Sequence, residues 1–432
     1  MNYETCLFQI DSKEVKGLKI IGNKIDQRNA AHTIILLDTS GSMEDDNKLN
    51  NVKRSLQYLL QFLLPSDFVS LITFCDSSKI IIENVSVNSD TSHALNFAIS
   101  NLVALGGTNL SAGLLNVCGV LERSHNQNIK TGLIILTDGH TNEGITRNSD
   151  LITIIDRLKN ICNTITINSV GYGNDHNSTL LKDIAIHGNG GYSIVNNLES
   201  VATVFGEILG GIMSCVAQNT YVTTPKSWVC YNMYSKKEDT NSITIDIGDI
   251  YAETETILLF NSVDGNASLH GISVKNFQNI QYDINWSNNT NNSEPYMLAY
   301  IRNKLAHLLQ NISKQRNTSA VIANIKVLLQ PFERSNNIIV PFLKEQLQLV
   351  ENSTENSNHL NANQLLQTSA FLGLGRGIST NMSPIRRQPS SYDDIDNVIN
   401  LTSNLNIYSP FSNRIQRDLT HSLNATLSQD PS

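Results

Sequence analysis

Between residues 32 and 217 short apolar runs alternate with amphipathic stretches, and this alternation restricts the fold more than any other feature of the chain. Thr33-Ile34-Ile35-Leu36-Leu37 is an almost unbroken apolar run, which reads as a strand buried on both faces. Lys48 to Leu64 then carries Leu49, Val52, Leu56, Leu59, Leu60 and Leu63 at spacings of three and four, a helix that Pro65 stops. Phe68 to Phe74 is a second buried strand. Lys79 to Glu83 is a third, close enough in sequence to pair with it antiparallel. Helices are predicted over Asp90 to Leu102 (capped by Asp90 or Thr91), 110–123, Asp150 to Ile161, 178–187 and 199–216. Strands are predicted over Leu133 to Leu136, Thr164 to Val170 and 191–195. Such a pattern predicts an α/β fold with a doubly wound, mostly parallel sheet.

The texture changes near Gln218. Asn219 to Ser287 is a series of short alternating runs separated by turns such as Asp264-Gly265, the pattern of an antiparallel β-sandwich. Pro295 to Arg376 is helical in pattern, over roughly 296–313, 318–330, 338–351 and 361–373. The expected organisation is therefore N-terminal strands in 1–30, an α/β domain in 31–217, a β-sandwich in 218–290, a helical region in 294–376 and a largely disordered tail in 377–432. Cys6 to Ile10 precedes the first α/β strand with no helix between them, so residues 1–30 are expected to complete the sandwich. Two stretches of the tail, 393–405 and 411–424, keep a weak helical period.

Composition narrows the partners. A net charge of −8 with no long basic run argues against a nucleic-acid backbone. Six scattered cysteines without CxxC spacing argue against a disulfide framework or a zinc site. Met1-Asn2-Tyr3-Glu4 does not open a signal peptide, and no run approaches the ~18 apolar residues of a membrane span. A cytoplasmic protein without a membrane span is the expectation.

Three turns share one address. Asp38-Thr39-Ser40-Gly41-Ser42 follows the first α/β strand, Gly106-Gly107-Thr108-Asn109 is a later loop, and Thr137-Asp138-Gly139 follows a further strand. In a doubly wound sheet the strands bearing Asp38 and Asp138 are neighbours where the winding reverses, and ligands bind beyond strand carboxyl ends at that point. Two carboxylates and three hydroxyls are hard oxygen donors, suited to Mg²⁺ before softer metals.

These segments resemble the von Willebrand factor A domain and its metal-ion-dependent adhesion site, over residues 32 to about 217. Gly171-Tyr172-Gly173-Asn174-Asp175-His176, Gly190-Gly191-Tyr192, Gly206-Glu207-Ile208-Leu209-Gly210-Gly211 and Ile247-Gly248-Asp249-Ile250-Tyr251-Ala252-Glu253 are similar to the branch in which a β-sandwich follows the A domain. That branch includes plant RING-type ubiquitin ligases and the heavy chains of inter-alpha-trypsin inhibitor; no RING pattern occurs here, so ligase activity does not carry over. The resemblance implies that Asp38, Ser40, Ser42, Thr108 and Asp138 hold a divalent cation, Mg²⁺ first and Mn²⁺ or Ca²⁺ as alternatives. It further implies that the metal's open position takes a Glu or Asp carboxylate from a partner protein.

The expected function is thus a non-enzymatic, metal-dependent protein-binding module, with no catalytic residue assigned. One alternative is a Mg²⁺-dependent hydrolase or phosphoryl-transfer enzyme with Asp38 as nucleophile. Against it, the turn has no second acid two residues on, and no lysine stands ready to stabilise a phosphoaspartate. Another is a substrate-recruiting component of a ubiquitin-ligase assembly. His140, His176 and His187 have no serine or cysteine placed to form a triad and read as structural or surface residues. Glu143 reads as a solvated loop charge, and Gly171-Tyr172-Gly173 lacks the third glycine of a dinucleotide fingerprint. Ser383-Pro384-Ile385-Arg386-Arg387 reads as part of a generic tail.

Overall fold

The computed structural model describes residues 1–10, 13–25, 27–124, 129–173, 175–261, 265–286, 293–311, 318–337, 339–355 and 413–429. The chain opens with two antiparallel strands, β1 (Asn2–Ile10) and β2 (Lys13–Ile21). The α/β unit follows, with β3 (Ala31–Asp38), α1 (Lys48–Leu60), β4 (Phe68–Phe74), β5 (Ser78–Ser86), α2 (Ser89–Ser100) and α3 (Leu110–Ser124). It continues through β6 (Lys130–Thr137), α4 (Asn148–Ile161), β7 (Ile165–Tyr172), α5 (Ser178–His187), β8 (Asn189–Val195) and α6 (Leu198–Ser214). Its strands form one sheet in the order β5-β4-β3-β6-β7-β8. All neighbours are parallel except β5, which folds back antiparallel on β4.

The unbroken apolar runs explain the layering. Every residue of β3, β6 and β7 is buried, because helices cover both faces of the sheet. Alternate side chains divide between two cores: Ile35 and Leu37 of β3 pack toward α1, α2 and α6, whereas Ile34 and Leu36 pack toward α3, α4 and α5. The chain leaves β3 for β4 on one side and later returns to β6 on the other, with Leu37 opposite Leu136. The winding therefore reverses between β3 and β6. One local expectation is corrected: α2 is capped by Asn88, not by Asp90 or Thr91. Asn88 Oδ1 accepts from Thr91 N at 3.1 Å and Asn88 N donates to Thr91 Oγ1 at 3.0 Å, a reciprocal box that sets the helix start one residue earlier.

Beyond α6 the strands β9 (Cys215–Pro225), β10 (Val229–Cys230), β11 (Ser235–Glu238), β12 (Ser242–Tyr251), β13 (Glu255–Asn261), β14 (Ser268–Ser273) and β15 (Asn279–Asp283) build two antiparallel sheets. One has the order β1-β2-β13-β10 and the other β11-β12-β9-β14-β15. Leu18, Ile20, Val222, Ile245, Leu258 and Phe260 share the core between them. The N-terminal strands supply half of the first sheet, with Leu18 paired to Leu258. Their outer face, Cys6, Phe8 and Val15, is covered by Tyr296 and Ala299 of α7 (Glu294–Asn311). Helix α7 packs with α8 (Thr318–Leu329) and α9 (Ile339–Glu355) around Leu305, Ile325 and Leu343.

The α/β unit and the two-sheet unit meet at a buried ion pair. Lys130 Nζ at the start of β6 lies 2.7 Å from Asp249 Oδ2 of β12, with both side chains at most 4% exposed. The same ammonium donates to Thr164 O at 3.0 Å and Thr166 Oγ1 at 2.6 Å.

Of the tail, the structure describes the stretch around 411–424, where the sequence keeps a weak helical period. Residues 414–429 form a helix, α10 (Arg414–Gln429), which packs on α6 and α1 and adds Leu419 and Leu423 to the core of the α/β unit. Asn413 and Gln416 close a capping box at its start, each backbone N–H donating to the other's side chain at 2.9 Å. The predicted helix at 361–373, the stretch 393–405 and the Ser383-Pro384-Ile385-Arg386-Arg387 patch lie outside the described residues.

Candidate functional site

The three turns singled out by sequence meet at the carboxyl end of the parallel sheet. Asp38 is the last residue of β3, where the backbone leaves the sheet. Its Oδ1 accepts from Ser40 N at 2.8 Å, and Thr137 Oγ1 donates to its Oδ2. These bonds fold the turn so that Ser40 and Ser42 point the same way, their hydroxyl oxygens 3.2 Å apart. The loop before α3 is bonded to that turn, with Gly41 N donating to Gly106 O at 3.0 Å and Leu105 N to Thr39 O at 2.9 Å. Gly106 has φ +75°, and a Cβ there would lie 2.4 Å from the Asp76 carboxylate, so glycine is required twice over. Thr108 is fixed by the third turn: its N–H donates to Asn142 Oδ1 at 2.8 Å and its carbonyl accepts from Asn142 N at 3.1 Å.

All five candidate residues are thereby brought together. Ser42 Oγ donates to Asp138 Oδ1 at 2.7 Å. A Cβ built on Gly139 would sit 3.5 Å from Thr108 Oγ1 and 3.9 Å from Ser42 Oγ, so hydroxyls from two different turns face one point beside the third. Asp38, Ser40, Thr108 and Asp138 are buried and Ser42 is exposed, which gives the cluster a floor and an open rim. Thr108 Oγ1 makes no hydrogen bond among the described residues.

The electrostatics are those of a place short of positive charge. Burial pushes the Asp38 carboxyl up to about 6; hydrogen bonds from Thr137 and Ser40 oppose that, and the neighbouring Asp138 adds to it. A hard dication would offset this cost directly. Five oxygen donors of carboxylate and hydroxyl type fit Mg²⁺ or a similar ion, and the two carboxylates match its charge. Among the described residues no three His, Cys, Asp or Glu side chains gather, so the site's donor set depends on hydroxyls.

The sequence reading missed Lys48. The first residue of α1, it donates from Nζ to Asp138 Oδ2 at 2.6 Å and to Ser42 O at 3.1 Å. A lysine thus stands at the three turns, paired with Asp138 and not with Asp38, the candidate phosphoaspartate. A signal was present, since a lysine in the first turn of a helix faces the positive end of the helix dipole and needs another reason to be there. Thr137 and Asn142 were also missed; their roles depend on which loops meet.

The histidines do not join the cluster. His140 and His187 are largely exposed, beside Asp175 at 3.8 Å and Asp156 at 3.5 Å. His176 is buried with Nε2 2.6 Å from Tyr192 Oη, and burial lowers its pKa to about 4. Glu143 is exposed and its Cγ lies 3.0 Å from a Cβ built on Gly107, next to the rim.

A doubly wound sheet carrying an Asp-x-Ser-x-Ser turn, a loop threonine and a second strand-end aspartate is the arrangement of an A-type domain. Residues 33–207 match the von Willebrand factor type A domain, and that part of the chain is such a domain. Domains of this type typically serve as protein-interaction or adhesion modules and are generally not enzymes. The uncharacterized protein YfbK of Escherichia coli is 28% identical over 247 residues, 55% of this chain and 42% of its own. The uncharacterized protein sll0103 of Synechocystis is 27% identical over 55% of this chain and 58% of its own. The inter-alpha-trypsin inhibitor heavy chain H1 of Sus scrofa is 27% identical over 37% of this chain and 18% of its own. The matched stretch thus spans less than two thirds of each of these relatives. Among solved structures, a von Willebrand factor type A protein from Catenulispora acidiphila superposes with a TM-score of 0.61 at 15% identity, covering 87% of this chain and 96% of that one. The ArnB paralog VWA2 from Sulfolobus acidocaldarius gives 0.55 at 15% identity, covering 86% and 97%. Both likenesses extend well beyond the A domain and concern the fold.

Proposed function

We propose that the chain is a non-enzymatic, metal-dependent protein-binding module. Asp38, Ser40, Ser42, Thr108 and Asp138 would hold a divalent cation, Mg²⁺ first, with the hydroxyls coordinating and the aspartates acting directly or through water. A bound dication, only partly neutralised on its open side, attracts an incoming carboxylate, so the partner is a protein presenting Glu or Asp. The observation that carries this reading is the convergence of two buried carboxylates and three hydroxyls from separate turns beside an exposed rim.

The enzymatic alternative draws new interest from Lys48, yet the same geometry weighs against it. Asp38 has 0% exposure and both its oxygens accept hydrogen bonds from Ser40 N and Thr137 Oγ1, an environment that suits a held ligand group better than an attacking nucleophile. Nothing in the described residues favours a ubiquitin-ligase role.

Calorimetric titration of the metal-stripped protein with Mg²⁺, Mn²⁺ and Ca²⁺, beside Asp38→Ala, tests the proposal. One site in the wild type, absent in Asp38→Ala, is expected, and partner capture should then be lost in chelator. Wild-type protein that binds none of the three ions would refute the metal reading. Turnover of a phosphomonoester that disappears in Asp38→Asn would support the enzyme instead.

A further inference from the structure

We infer that Lys48 is a built-in counter-charge of the site, which weakens its hold on the cation and strengthens the cation's hold on a partner's carboxylate. The inference rests on the reading above that the five residues bind a divalent ion.

The chain accepts three local costs to put this ammonium where it is. Asp46 and Asn47, at φ +52° and +57°, turn the chain through the left-handed region just before α1, so that the helix's first residue reaches back to the site. Lys48 stands at the positive end of the helix dipole. Its flexible stem is confined, with the side chain only 16% exposed against an Asp138 side chain at 0%. A lysine serving as a surface charge would need none of this.

The consequence follows from counting charge. Two aspartates and a dication sum to zero, so an incoming carboxylate is drawn by the ion's local field at its open position but by no net charge of the centre. With Lys48 on Asp138 the loaded site carries one net positive charge, and partial burial limits its screening. The same ammonium repels the dication and competes for Asp138 Oδ2, so the metal is bound less tightly than the donors alone would allow. Lys48 and Ser42 together donate to both Asp138 oxygens, and the ammonium offsets the repulsion between Asp138 and Asp38. Lys48 is therefore a specificity-determining residue: it trades affinity for the ion against affinity for the acidic ligand.

The test uses the full chain, metal-stripped, as wild type, Lys48→Met, Lys48→Gln and Lys48→Arg. Titration with MgCl₂ and MnCl₂ should show at least about tenfold tighter metal binding in the Met and Gln variants, while Arg stays near wild type. Acetate added to the Mn²⁺-loaded proteins, followed by water-proton relaxation, should bind more weakly to the Met and Gln variants. Gln keeps a neutral hydrogen-bond donor on the side chain and keeps the comparison available if Met misfolds. Unchanged or weaker metal binding in a folded uncharged variant overturns the inference, because Lys48 would then only support Asp138. Unchanged acetate affinity overturns its second half. If the wild type itself binds no metal, the failure belongs to the metal reading instead.

Discussion

Burial decides the charge of individual residues at this end of the sheet. It pushes Asp38 up to about 6 and His176 down to about 4, each away from its charged form. For His176 the stability consequence has a definite sign. Its folded pKa lies below the unfolded value, so as pH falls below about 6.5 the unfolded chain takes up a proton that the folded one refuses. Stability from this residue is full above pH ~6.5 and declines toward pH ~4. Melting temperatures across that range should therefore fall more steeply in the wild type than in His176→Gln; parallel curves would count against a buried neutral histidine. The five oxygen-bearing residues were legible in sequence because each turn is local, and residue type and spacing within it carry the chemistry. Lys48, Thr137 and Asn142 were not, because each acts across a contact between segments that sequence alone does not bring together.

At the scale of elements, the fit of α10 on α6 is the feature that periodicity undervalued. Cβ atoms built on Gly206 and Gly210 would lie 2.7 Å from Thr420 Oγ1 and 2.7 Å from Gln416 Cα, so the two glycines are the seat of α10. Asn413 Nδ2 donates to Ser214 Oγ at 2.7 Å and Gln416 Nε2 to Glu207 O at 3.0 Å, which fixes the register. Helix α10 is mostly polar, and only its docking stabilises it. Gly210→Leu should therefore destabilise the full chain by about 1–3 kcal/mol through overpacking. In a chain ending at residue 412 the same substitution should be neutral or stabilising, since Leu is the better helix former by roughly 1 kcal/mol. Denaturant melts of the four proteins decide this, and equal effects in both backgrounds would mean that the groove is not what binds α10. The helices of the α/β unit were readable because their apolar stripes are wide, whereas the cap of α2 at Asn88 was misplaced because several capping residues stand in a row.

For the whole molecule, the buried Lys130–Asp249 pair joins the α/β unit to the two-sheet unit at the end of the sheet away from the candidate site. Removing Lys130 takes the counter-charge of this pair from the buried Asp249 carboxylate, to which Thr166 Oγ1 also donates. Lys130→Met should cost about 3–5 kcal/mol, and the double variant Lys130→Met/Asp249→Leu should recover a large part of it. A double variant no more stable than the single one would mean that Lys130 works through Thr164 and Thr166 instead. Among the described residues no helix is long and apolar enough to cross a membrane. The sequence by itself determined the doubly wound sheet and the three turns of the candidate site, because apolar periodicity and turn chemistry are local properties. Only the tertiary structure decided that the N-terminal strands pair with β13, that a polar C-terminal helix completes the A domain's core, and that Lys48 stands on Asp138. Each of these depends on shape and charge matching between segments far apart in the chain, a match that no local pattern encodes.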